Sequence, residues 1–190
     1  MSLDSQPSPA VNDGVVLTTP RMVLRAIGEA DIPWLHQKIF SVPEVMNWVF
    51  SGAVLSRAES DSFIRANFNF KAAPTGLGSL ADKASGEVIG FAGLSPCQAL
   101  ADDDLEFGFV LAREAWGKGL ATEIGQAQLA FGFEQLGRPR LLALASAQNA
   151  ASIATLQKLG MHYHSDVTPP GRSLRRVYCM GADEWRQRPL

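Results

Sequence analysis

The stretch LEFGFVLAREAWGKGLAT, Leu105–Thr122, decides how this chain is read. It predicts a strand over Leu105–Leu111, a short polar bend, the turn Gly117-Lys118-Gly119 and then a helix. A helix that starts there has free backbone N–H groups in its first turn, aimed past the end of the strand. Such a start suits a phosphate or pyrophosphate group. Two familiar glycine-rich loops do not fit. The dinucleotide fingerprint asks for Gly or Ala where Thr122 stands, and for an acid about twenty residues further on. The Walker loop asks for Ser or Thr after its lysine, where Gly119 stands. The alternative to a phosphate turn is a plain helix start with two glycines for close packing.

Outward from the turn, helices alternate with strands. The helix Gly117–Leu136 has Leu120, Ile124, Ala127 and Phe131 on one side and Leu129, Phe133 and Leu136 on the other, so it should be covered on both sides. Arg140–Ala147 is a continuous aliphatic run, as in a buried strand. Asn149–Gly160 is an amphipathic helix, with Asn149 as its N-cap and Gly160 as its stop. Strands are expected near Met161–Val167 and Ser173–Met180. Upstream, Val15–Ile27 holds two strand-like pieces around Pro20. Helices follow from Glu29 to Phe40, over Pro43–Phe50 and over Ser56–Phe70, the last with the capping-box pair Ser56 and Glu59. Gly76–Lys83 and Glu87–Leu94 read as a hairpin across Ala84-Ser85-Gly86. The pattern is that of a mixed-sheet α/β or α+β domain over residues 15–190, after a Ser/Pro-rich flexible tail over residues 1–14.

The bulk numbers narrow the function. The chain has 190 residues, 46% hydrophobic, with a net charge of −2. One full core fits that length. The weak charge and the lack of a long basic run argue against wrapping a nucleic acid. Arg172, Arg175, Arg176, Arg186 and Arg188 read as a solvated strand and tail. Asp102–Asp104 reads as a solvated acidic turn. Cys97 and Cys179 lack metal or redox spacing and read as reduced, buried thiols of a cytoplasmic protein. His36, His162 and His164 form no metal cluster. No apolar run reaches membrane-spanning length, so no membrane partner is expected.

A second motif settles whose phosphates the turn would hold. Asn149-x-x-Ser152-x-x-x-Leu156-x-Lys158-Leu159-Gly160 follows the aliphatic strand. With Trp116–Glu123, WGKGLATE, it resembles the GNAT N-acetyltransferase superfamily, most of all its RimJ/RimL-like ribosomal-protein N-terminal acetyltransferase branch. Thr19-x-Arg21-x-x-Leu24-Arg25, the helix acid Asp31 and the pair Ile89-Gly90 match that branch in order and spacing. The resemblance runs from about Leu17 to Tyr178. It implies the acyl-CoA N-acyltransferase fold: a twisted, mostly antiparallel sheet of six to seven strands, flanked by helices, with two strands splayed at the site of acetyl-CoA. Those strands are Leu105–Leu111 and Leu141–Ala145; Gly108 fits, since a strand glycine often marks a bulge or close approach.

The resemblance implies that Phe109, Val110 and Leu111 pair with the pantetheine arm. The pyrophosphate is expected on the N–H groups of Gly117, Lys118, Gly119, Leu120 and Ala121, with Trp116 and Thr122 completing the turn and Lys118 adding charge. Glycine suits the turn because a side chain would hold phosphate oxygens out of range. Trp116 is also read as a core anchor. Asn149 is assigned to the cofactor beside its capping role.

Transfer of an acetyl group to an amine needs a neutral nitrogen and a proton for the leaving sulfur. Glu106 is the expected base, its partial burial between Leu105 and Phe107 favouring proton uptake. Many superfamily members place a tyrosine acid where this chain has Leu156. The RimL-like branch suggests Ser152 instead. The acceptor is expected to be a primary amine: a peptide N-terminus or a small molecule such as a polyamine, an amino acid or an aminoglycoside. Trp34, Trp48, Phe50, Phe63, Phe68 and Phe70 suggest an apolar wall for it. The resemblance also implies a possible homodimer. A non-catalytic acyl-CoA-binding module of the same fold is the rival reading.

Overall fold

Backbone pairing joins eight strands into one sheet in the order β1-β2-β3-β4-β5-β6-β8-β7. The computed structural model describes residues 14–170 and 173–188. The expected tail, apart from Gly14, lies outside them, as does Arg172. The strands are β1 (Val15–Thr18), β2 (Met22–Arg25), β3 (Gly76–Asp82), β4 (Val88–Cys97), β5 (Asp104–Leu111), β6 (Arg140–Ser146), β7 (His162–Val167) and β8 (Arg175–Gly181). Among the described strands β5 and β6 pair in parallel and the other neighbours are antiparallel. The count exceeds the expected six to seven because both pieces around Pro20 join the sheet, β1 pairing with β2 and β2 with β3.

The period-two alternation of the strands sorts their side chains into two buried faces. Phe91 and Val110 turn towards the upstream helices α1 (Asp31–Leu35), α2 (Pro43–Met46) and α3 (Arg57–Asn67), where Ile39, Phe40, Met46 and Ile64 complete a core. On the other face, Ala92, Phe107 and Leu111 meet α4 (Leu120–Ala130) and α5 (Ala150–Lys158). A short α6 (Ala182–Arg186) follows β8. The expected helices to Phe40 and to Leu136 each change pitch part-way: α1 continues as a π-helical turn over His36–Phe40, and α4 as one over Phe131–Gln135. The Ser56–Glu59 capping box forms in both directions, with Glu59 N donating to Ser56 Oγ at 3.3 Å and Ser56 N donating to Glu59 Oε2 at 2.8 Å.

Helix α4 is covered on both sides, as its pattern predicts: Leu120 and Ile124 pack in one cluster, Leu129 and Phe133 in another. Two expectations of solvated charge are corrected. Asp104 is the first residue of β5 and is buried, bound by the Arg140 guanidinium at 2.6 and 2.8 Å. Arg175 is buried rather than solvated. In both cases the strand alternation carries the residue inward, and burial of a charge is tolerated because partners meet it there.

Candidate active site

β5 and β6 are joined by a single backbone pair, Glu106 opposite Leu142. Beyond it, Gly108–Leu111 and Leu144–Ser146 line opposite sides of one cavity of about 1060 Å³. A parallel pair that separates after one contact leaves backbone N–H and C=O groups of β5 without a strand partner. The chain supplies one replacement: the fully buried Gln128 of α4 donates from Nε2 to the Gly108 carbonyl at 3.2 Å. Its Oε1 is buried without a partner among the described residues. At Gly108 itself a Cβ would meet nothing within 4 Å, so the strand faces open space there.

The mouth of the opening is the glycine turn. Gly117 and Gly119 adopt φ of +72° and +76°, a left-handed conformation that ordinary side chains resist. Gly119 is the N-cap of α4, and a Cβ on Gly117 would enter open space. The helix therefore begins at Leu120, three residues later than the expected Gly117, and the first amides of its opening turn have no intrahelical partner at the cavity.

That turn is braced from the far end of the sheet. Glu123, in the first turn of α4, accepts from the Thr19 hydroxyl at 2.6 Å, from the Arg21 amide at 2.9 Å and from Arg21 Nε at 2.6 Å. Arg21 also donates to the Lys118 carbonyl at 2.9 Å. Burial opposes ionisation of Glu123, yet the Thr19 and Arg21 donors outweigh it and hold the carboxyl below its usual range. The Thr-Pro-Arg and Ala-Thr-Glu motifs are thus two halves of one contact. They lie about a hundred residues apart, and only the folded sheet joins them.

Most expected site residues reach the cavity. Glu106, Phe109, Val110, Leu111, Trp116, Gly117, Gly119, Leu120, Ala121, Thr122, Asn149 and Ser152 all line it. Lys118 does not; its charge lies near Asp82, whose carboxyl is held low first by the Ser85 amide and in smaller part by this lysine. Trp116 is not a core anchor: 43% of it is exposed, and its indole N–H donates to the Leu111 carbonyl at 2.8 Å. A ring on the turn cannot enter a core already closed by Ala115 and Leu120. Asn149 caps α5, its side chain accepting from the Ser152 amide at 3.1 Å. Leu156 is buried in the core and offers no hydroxyl. Thr155, one helical turn beyond Ala151 and outside the motif residues, also lines the cavity, but its hydroxyl donates to the Ala151 carbonyl at 3.0 Å.

At the apex, Glu106 sits opposite Ser95 of β4 and Leu142 of β6. Burial pushes the nearby Cys97 thiol up to about 11, and the Glu106 carboxylate adds to the rise. Cys97 and Cys179 are both buried free thiols, as expected.

Arg175 enters the same cavity from β8 and donates to the carbonyls of Trp48 at 3.0 Å and Phe50 at 2.7 Å. It fastens the segment after α2 to the sheet. Trp48, Phe50 and Phe63 of the expected apolar wall line the cavity. Phe68 is buried in the neighbouring core, and Trp34 and Phe70 pack against that core.

These features have counterparts in known proteins. A family model described as an acetyltransferase (GNAT) domain matches residues 21–162. An uncharacterized protein of Bacillus subtilis, YkkB, is 32% identical over 157 residues, spanning 83% of this chain and 91% of that protein. An FsC-acetyl coenzyme A-N(2)-transacetylase of Aspergillus fumigatus is 26% identical over 198 residues, spanning 97% and 80%. A GNAT-family acetyltransferase structure from Bacillus anthracis superposes with a TM-score of 0.74 at 20% identity, covering 88% and 98% of the two chains. The match of the family model over most of the chain, on a sheet that parts between β5 and β6, means that this protein belongs to the GNAT acetyltransferase family.

Proposed function

We propose that this protein moves the acetyl group of acetyl-CoA to a primary amine by direct attack. The observation that carries the proposal is the parting of β5 from β6 immediately after Glu106, with the glycine turn at its mouth. The cradle fits the donor. Open space at Gly108 and Gly117, and unpaired amides at the start of α4, suit a pantetheine arm and a pyrophosphate. Phe109, Val110 and Leu111 would hold the arm. Gly117–Ala121 and Thr122 would hold the phosphates through the backbone, and Trp116 would offer a flat apolar surface. The RimJ/RimL-like branch remains the reading that the motif match supports.

Acetyl-CoA supplies the activated thioester. The chain supplies position and proton handling. Glu106, half-buried at the apex, takes the proton that the amine must lose, directly or through a water. The amine nitrogen then bonds to the thioester carbonyl carbon as the carbon–sulfur bond breaks. The departing sulfur leaves as a thiolate or takes a proton. Ser152, which lines the cavity, is the hydroxyl that the RimL-like resemblance assigns to it; the proton of the neighbouring Thr155 is engaged by the Ala151 carbonyl. A serine is a weak acid, so its part is to orient and hydrogen-bond the sulfur; a thiolate, with a pKa near about 8.5, leaves without full protonation.

Thiol release in the presence of acetyl-CoA and a panel of amines tests the proposal. Acceptor-dependent release that falls by about 100-fold or more in Glu106→Gln supports it. Binding of acetyl-CoA without release for any amine turns the assignment to the non-catalytic module. No binding at all removes the reading of the glycine turn.

A further inference from the structure

Cys97 and Cys179 are equally buried, each 8% exposed, and both are free thiols. Their neighbours differ. Cys97 ends β4, where the Glu106 and Asp104 carboxylates add to the rise that burial imposes on its thiol. Cys179 lies in β8 directly opposite His162, the first residue of β7. Its Sγ is 3.1 Å from His162 Nε2. At the other side of the ring, His162 Nδ1 lies 3.3 Å from Glu184 Oε1. The second oxygen of that carboxylate accepts from the Gly181 amide at 2.6 Å, which anchors Glu184 in α6. Cys179 stands opposite Leu142, and Leu142 opposite Glu106, so the cluster sits two strands from the apex of the cavity and outside its lining.

We infer that Cys179, His162 and Glu184 form a thiol-exchange site, at which Cys179 takes up one half of a low-molecular-weight disulfide. A nucleophile within reach of a base, with the base oriented by a third group, is the arrangement that activates a weak nucleophile. A carboxylate only accepts hydrogen bonds, so Glu184 favours the tautomer with its proton on His162 Nδ1. The lone pair of Nε2 then faces the thiol. Burial and the Glu184 charge raise the Cys179 thiol against an opposing pull from Arg140, so its resting form near neutrality is the thiol. Reaction there needs a base at hand, and His162 is in contact. In the exchange, Nε2 takes the Sγ proton as Sγ bonds to one sulfur of the incoming disulfide. The old S–S bond breaks, and the departing sulfur leaves as a thiolate that recovers the proton from His162. One disulfide and one thiol become a mixed disulfide and a new thiol, so no further oxidant enters the balance. The Glu184 carboxylate steadies the imidazolium in between. The His162 side chain is 51% exposed, which puts the base at the surface where the disulfide arrives.

The test exposes the intact chain to oxidised glutathione near neutral pH and follows, by peptide mass spectrometry, the uptake of glutathione at each cysteine. Cys97 is the reference inside the same molecule, being equally buried but without an imidazole on its thiol. Cys179 is expected to react at least about 10-fold faster than Cys97. His162→Gln should slow Cys179 by about 100-fold and leave Cys97 unchanged. Glu184→Gln keeps an oxygen for the Gly181 amide and should slow Cys179 by a smaller factor, again without moving Cys97. Loss of packing has the opposite sign, since a buried thiol that becomes exposed reacts faster. If His162→Gln speeds both cysteines together, its fold has loosened, and Glu184→Gln decides. Equal rates at the two cysteines in the parent, faster uptake at Cys97 or no uptake at either overturns the inference. So does a Cys179 rate that Glu184→Gln and a folded His162→Gln leave unchanged.

Discussion

Replacing Glu123 by alanine tests whether the brace behind the glycine turn holds it in place. The carboxylate accepts three hydrogen bonds, from the Thr19 hydroxyl, the Arg21 amide and Arg21 Nε. The ion pair is the lesser part. Arg21 is 49% exposed, so water screens it and the pair is worth about 1 kcal/mol at most. The neutral donors matter more. Thr19 is buried, and without Glu123 its hydroxyl keeps only the long contact to the Met22 carbonyl at 3.4 Å, a loss worth about 1–3 kcal/mol. Glu123→Ala should therefore lose about 2–4 kcal/mol of unfolding free energy. Glu123→Gln keeps an oxygen for the Thr19 and Arg21 amide donors and should lose about 1 kcal/mol. The pH dependence has a defined sign. A carboxyl held low in the folded state adds stability above its unfolded pKa of about 4.3 and loses it as pH falls through the folded value. The gap between the parent and Glu123→Gln should thus close on acidification. Urea unfolding of the three proteins, near neutrality and near pH ~4, measures it. An alanine variant within about 0.5 kcal/mol of the parent, or equal losses for Gln and Ala, refutes the brace.

Four further outcomes are expected. Gly117→Ala places a Cβ in open space but at a left-handed φ, so it should cost about 1–2 kcal/mol of stability while weakening CoA binding, read by calorimetry. Gly90→Ala brings a Cβ within 2.1 Å of the Val110 carbonyl, which must push β4 and β5 apart; a loss of about 1–3 kcal/mol in thermal unfolding is expected. Arg175→Met frees the Trp48 and Phe50 carbonyls and should raise the acceptor KM while leaving the CoA dissociation constant near that of the parent, read by initial rates and titration. Burial holds the Cys97 thiol up near 11, so iodoacetamide near neutral pH should label it slowly in the folded protein and quickly after denaturation, followed by mass spectrometry.

Local chemistry was legible in the sequence. The Ser56–Glu59 box, the Asn149 cap and the start of α4 at a glycine each depend on residues within a few positions of one another. The residues expected at the cofactor site also reached the cavity, with Lys118 the exception. Its neighbours Gly117 and Gly119 act through the backbone, which the turn fixes, whereas a long side chain is free to turn towards Asp82. Trp116 was misread for a related reason. Aromatic residues usually pack inward, but here the glycine turn lifts the ring to the surface and ties its N–H to Leu111. Gln128 carried a weak signal, a polar residue beside Leu129 on a helix apolar on two sides. Only the missing β6 partner for Gly108 explains its burial.

The sequence by itself determined the order of elements, the strand-to-helix turn and the family, because periodicity, caps and glycine positions act over short distances. Tertiary structure decided what those elements surround. The Thr19–Arg21–Glu123 brace joins residues about a hundred positions apart, and Arg175 reaches Trp48 and Phe50 across a still longer span. The Asp104–Arg140 pair and the single contact between Glu106 and Leu142 likewise exist only once the strands are laid side by side. Charges read as solvated became buried there, since a strand's alternation fixes which residues share a face, and only the assembled sheet fixes what covers that face.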